Sequence, residues 1–193
     1  MALISSTTII TSVSLLHLTL AYFFLSNPLT IDDQALVWVL GESMGMPMAR
    51  GFDAQSPPLG FLAAVLALLG LSDLVSLSMP EEVCMLYYWG AQAPVRALFS
   101  MALLFYTFMF GPSSPVYQSG SARGGAASRL LTHPSPHNPS YVPSGWGGDM
   151  LKNRVFFTFM FVEMVSWFWI WITLREERFA LVQRVRRNAE RDD

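Results

Sequence analysis

Cysteine is almost absent from this chain. Cys84 stands alone, so no intramolecular disulfide forms and no Cys-rich zinc pattern can be built. Charge is scarce too: 13% of the 193 residues are Asp, Glu, Lys or Arg, against roughly 25% in soluble domains. A net charge of −2 offers no basic surface to a nucleic acid. The sequence has no GxSxG, no HExxH, no phosphate loop and no nicotinamide fingerprint. No catalytic residue, no metal and no cofactor is therefore expected. The N-terminal region also lacks the basic start of a cleaved signal, since the first basic residue is Arg50. Its apolar run from Ile9 ends in Ser26-Asn27-Pro28, a poor cleavage site, and it has none of the arginines of a mitochondrial presequence. It reads as a retained first span.

What the chain does have is clustered apolar sequence, 52% of the residues. A hydrocarbon core about 30 Å thick takes about 20 helical residues. Four stretches have that character: residues 9–25, 58–77, 93–110 and 155–174. The first is the most polar, with Thr11, Ser12, Ser14, His17 and Thr19. Pro94 suits the first turn of the third, where its missing N–H costs nothing. Trp167, Trp169 and Trp171 lie in the second half of the fourth, toward the interfacial level that Trp favours. Between the first two stretches, Asp32 and Asp33 favour a helix start. The apolar run Ala35 to Leu40 that follows is too short to cross, and reads as an interfacial or re-entrant helix. Val83 to Trp89, with Tyr87 and Tyr88, has the composition of a membrane surface.

Residues 111–149 are dense in Pro, Ser and Gly without apolar periodicity, and read as a flexible loop. Residues 175–193 form a charged tail with a modest apolar stripe of Phe179, Leu181, Val182 and Val185. The fold expected is an all-α integral membrane protein, a single domain built as a four-transmembrane-helix bundle with short interfacial helices. Four spans put both termini on one side. Arg96 and the tail arginines narrowly outnumber the basic residues of the other side, so the positive-inside bias places the termini in the cytosol.

Ionisable groups within a membrane are expensive and are functional candidates by default. Here they are His17, Asp73, Arg96 and Glu163. Asp73 lies about 6 Å from the end of its span at about 1.5 Å per residue, and Arg96 opens the next span across a short turn. These two are expected to form an intramembrane ion pair that fixes the pairing of their helices. His17 and Glu163 both fall near mid-span, as a polar site able to bind a headgroup or relay a proton. The simpler reading of Glu163 is a neutral acid hydrogen-bonded to a neighbour, because burial raises a carboxylate's pKa readily. Gly60, Ala63, Ala67 and Gly70 recur at spacings of three and four, a smooth helix-packing face. His133 and His137 sit among prolines in the loop and lack the scaffold and ligand number of a metal site.

Several of these features resemble the fungal family named for increased loss of mitochondrial DNA, the ILM1 proteins. Gly70-Leu71-Ser72-Asp73-Leu74, Pro94-Val95-Arg96, Phe161-Val162-Glu163 and Arg175-Glu176-Glu177 look like that family's motifs, in the same order. The Pro/Ser/Gly loop looks like an insertion. The resemblance implies a multi-pass protein of the endoplasmic reticulum whose mitochondrial DNA phenotype is indirect, through lipid supply or organelle contact. The function expected is a non-enzymatic accessory subunit of a membrane or lipid-handling complex, with membrane lipids and a larger membrane protein as partners. The alternative is a small lipid- or sterol-binding or -modifying protein with a polar site inside the membrane.

Overall fold

A computed structural model describes residues 4–49, 51–80, 83–111 and 146–192. Most of the Pro/Ser/Gly loop, with His133 and His137, lies outside them. Among the described residues every regular element is helical. In chain order these are α1 (Ser6–Ser26), α2 (Leu29–Asp32), α3 (Ala35–Ser43), α4 (Pro57–Ser76), a π-helix (Val83–Tyr88) running into α5 (Trp89–Met109), a 3-10 helix (Gly147–Leu151) and α6 (Arg154–Asp192). Among the described residues, three stretches are long and apolar enough to cross a membrane: Ser6–Ser26, Pro57–Ser76 and Arg154–Ala180. Helix α5 has the length, 21 residues, but carries Gln92, Pro94 and Arg96 in its first half.

Contacts divide the chain into two compact units. Unit 1 comprises Met1–Leu25, Pro57–Ser100 and Glu163–Asp193; unit 2 comprises Ser26–Ser56 and Met101–Val162. The core of unit 1 joins Ile10 and Val13 with Cys84, Met85, Trp89, Ala93, Ala97, Trp167, Ile170 and Leu174. The helical spacing of these residues selects one face of each helix. Trp89 is fully buried in this core. The surface character expected for Val83 to Trp89 survives only in part, at exposed Val83 and Tyr87, because the π-helix turns Cys84 and Met85 inward.

The polarity of α1 is resolved locally. The hydroxyls of Thr11, Ser12, Ser14 and Thr19 each donate to the carbonyl four residues earlier, at 2.8–2.9 Å. A hydroxyl satisfied by its own helix costs little in an apolar environment. Of the small residues on α4, Ala63 is fully buried, and Gly70 lies so near α1 that a Cβ there would come within 2.8 Å of the Ser14 carbonyl oxygen. Gly60 has nothing within 4 Å of such a position, and Ala67 is half-buried. The close approach is thus concentrated at one end of the stripe.

In unit 2, α3 ends in a Schellman motif. Gly45 takes φ 61°, the Met46 N–H donates to the Gly41 carbonyl at 2.8 Å, and the Gly45 N–H donates to that of Glu42 at 3.1 Å. Pro47 follows, and its carbonyl accepts the Arg154 N–H at 3.0 Å. Gly41 packs directly on Arg154, leaving no room for a side chain.

Candidate functional site: a buried polar chain

Within unit 1, four helices bring their ionisable residues together. Asp73, on the buried face of α4, is 0% exposed. The Arg96 guanidinium, about two turns into α5, grips it with two hydrogen bonds, Nη1 to Oδ2 at 2.6 Å and Nη2 to Oδ1 at 2.8 Å. This planar fork is the geometry only arginine supplies. The same guanidinium lies over two indoles, 4.6 Å from the Trp167 ring centroid and 5.4 Å from that of Trp89. Those rings are stacked, 5.4 Å apart and 19° from parallel. A desolvated cation over a Trp face gains roughly 2 kcal/mol.

Trp167 continues the chain. Its indole N–H donates to Glu163 Oε2 at 2.6 Å, one helical turn back along α6. Glu163 Oε1 is hydrogen-bonded to His17 Nε2 of α1 at 2.7 Å. His17 in turn packs beside Gly70, whose missing side chain makes the space. The order is therefore His17, Glu163, Trp167, Arg96, Asp73. The two pairs read separately from the sequence are linked, through an aromatic residue that spacing alone did not nominate. The signal was present: Trp167 stands four residues after Glu163, on the same helix face.

Two further arrangements escaped the sequence reading. At the start of α1, the Ser6 N–H donates to Glu177 Oε1 at 3.0 Å, and the Ser6 hydroxyl donates to the other oxygen of the same carboxylate. Glu177 of α6 thus supplies a negative charge at the helix N-terminus, where the dipole favours it. In unit 2, Arg154 grips Asp32 through Nε at 2.8 Å and Nη2 at 2.5 Å. Nothing in the sequence flags partners 122 residues apart. Near it, Lys152 pairs with Asp149 and lies 5.6 Å from the Tyr106 ring centroid.

Cys84 is buried, and burial pushes its thiol above the usual range, tempered by the Trp89 indole N–H. It is a core residue rather than a nucleophile. Among the described residues, no group of three or more His, Cys, Asp or Glu could hold a metal ion.

These features define a class: a helical protein with membrane-length apolar helices, whose buried ionisable side chains are paired with one another. The chain belongs to the Ilm1 family, described as increased loss of mitochondrial DNA protein 1, whose model matches residues 4–184. Neither the curated proteins nor the solved structures gave a match.

Proposed function

We propose that the protein is a non-enzymatic, multi-pass accessory protein of the endoplasmic reticulum membrane, with α5 as a further crossing and both termini in the cytosol. It offers its outer helix faces to a larger membrane or lipid-handling partner. The observation that carries this reading is the closed polar chain. Both Glu163 oxygens are engaged, by His17 and Trp167, and both Asp73 oxygens are engaged by Arg96. Groups spent in this way hold helices together, whereas a ligand site keeps polar atoms available. The outward faces are apolar, with Phe61, Leu68 and Val75 exposed along α4. Family membership supports the mitochondrial DNA link only through the family's name. The net negative charge supports an indirect route rather than DNA contact.

Purification in a mild detergent should recover a stoichiometric membrane-protein partner. Repeated recovery of a lone monomer overturns the accessory reading. Native mass spectrometry tests the alternative: a retained lipid or sterol that disappears in Glu163→Ala would make the polar chain a binding site.

A further inference from the structure

The membrane reading leaves open how α3 meets the bilayer, and the side chains of this helix answer it. Leu36, Trp38 and Val39 are 54%, 56% and 53% exposed, while Val37 and Gly41 are buried against unit 2. The helix therefore turns apolar residues to both sides. One side packs on protein, and the other has no protein against it among the described residues. Its outward apolar stretch is short. From Ala35 to Val39 it covers about 6 Å of helix axis at about 1.5 Å per residue. It is bracketed by exposed polar groups, Asp33 and Gln34 before it and Glu42 and Ser43 after it.

Both ends are fixed. The Schellman motif at Gly45 closes the C-terminal end. At the other end, Asp32 is held by Arg154. A re-entrant segment would have to carry Asp33 or Glu42 toward the acyl chains, at a cost of several kcal/mol for a carboxylate. A segment at the interface leaves Asp33 within reach of water and Glu42, one turn beyond Trp38 on the same side, at the level of the headgroups, while the apolar residues between them insert. Trp38 stands in the middle of that stretch, and Trp is the residue enriched at the headgroup level.

Charge narrows the surface further. The described basic residues of unit 2, Lys152 and Arg154, are each paired with an aspartate. Asp33, Glu42 and Asp53 are exposed. The described residues therefore offer no unpaired basic group to anionic lipid, and burial of apolar side chains supplies the affinity.

We propose that α3 is an interfacial helix that inserts Leu36, Trp38 and Val39 into the headgroup–acyl boundary of a zwitterionic leaflet, and does not re-enter the membrane. The proposal rests on the membrane reading above. The test uses the full chain in phosphatidylcholine bilayers, with spin labels on Leu36→Cys, Trp38→Cys, Val39→Cys or Glu42→Cys in a Cys84→Ala background. Leu68→Cys on α4 serves as the deep control. Collision with oxygen relative to a water-soluble nickel chelate reports depth. Positions 36, 38 and 39 should show a ratio several-fold above position 42 and below position 68, corresponding to an insertion of about 5–10 Å. Adding phosphatidylserine should leave these ratios unchanged.

Ratios at position 38 as high as at position 68 would mean re-entry, and ratios equal to position 42 would mean water. Shielding from both reagents would mean a protein partner. Each of these overturns the proposal while the deep control stands. If position 68 is itself accessible to the nickel chelate, the membrane reading fails instead. Should Cys84→Ala fail to fold, the natural Cys84 can be kept. The quenching of tryptophan emission by brominated phosphatidylcholine should then fall in Trp38→Phe, and an unchanged value overturns the proposal.

Discussion

Each unit holds an arginine that grips an aspartate with two nitrogens, but the two grips are built differently. In unit 1 the partners are 23 residues apart, on consecutive helices. The carboxylate is fully buried and the arginine side chain is 21% exposed over two stacked indoles. In unit 2 the partners are 122 residues apart. Arg154 is the more enclosed arginine, at 11%, and glycine backbone rather than an aromatic face lies against its Cβ. Asp32 ends a four-residue helix beside exposed Asp33 and Gln34. The first grip is one link in a longer polar chain, whereas the second joins two helix ends at the edge of an apolar region. Equal hydrogen bonding therefore does not mean equal energetic weight.

Breaking the first grip should cost most. Asp73→Ala leaves Arg96 charged, since a guanidinium does not give up its proton. A loss of about 3–5 kcal/mol is expected for an uncompensated charge in a dry site. Thermal unfolding in detergent reads it. The swap Asp73→Arg with Arg96→Asp should recover part of the loss. A double variant no better than either single one would mean the pair does not hold α4 to α5.

Asp32→Ala should cost less, about 1.5–3 kcal/mol, the range for charge-assisted hydrogen bonds, because Asp33 and Glu42 remain as acidic neighbours of Arg154. A loss equal to that of Asp73→Ala would erase the distinction between the grips. The glycines that make room in each unit offer a finer comparison. Gly70→Ala and Gly41→Ala each force a Cβ against a neighbour, the Ser14 carbonyl oxygen at 2.8 Å and Arg154 Cβ at 2.5 Å. Both should destabilise by about 1–3 kcal/mol. Gly60→Ala meets open space and should stay within about 0.5 kcal/mol of the parent.

The smallest effect is kinetic. Cys84, buried and with its thiol pKa raised, should resist alkylation at neutral pH until the protein is unfolded. In Asp73→Ala it should react faster. Reaction of the parent at the rate of a free thiol would show that the core of unit 1 opens readily.

The difference between the grips also explains what could be read from the sequence. Asp73 and Arg96 flank one short connection, so helical rise alone puts them at a common depth. His17 and Glu163 could be matched by depth, though not by direction. Arg154 and Asp32 could not be matched at all, because their meeting depends on the course of the chain between them. Helix existence follows from runs of apolar residues. The inward turn of Cys84 and Met85 belongs to a π-helix, which no periodicity announces. Trp167 reads from the sequence as an interfacial aromatic because it lies in the second half of its span, whereas its contact with Arg96 depends on another helix.

The cap that Glu177 places on Ser6 has a consequence for biosynthesis. Its partners are 171 residues apart, and His17 waits for Glu163 across 146. At about 5–20 residues per second, α1 leaves the ribosome roughly 7 to 34 seconds before the groups that complete it. Through that interval α1, with Thr11, Ser12, Ser14, His17 and Thr19 along it, has neither carboxylate. Water, lipid headgroups or the insertion machinery must attend to the Ser6 amide and the imidazole in the meantime. The first helix made is thus among the last to be finished, and any stop upstream of residue 163 would strand it with both of these polar contacts unmet.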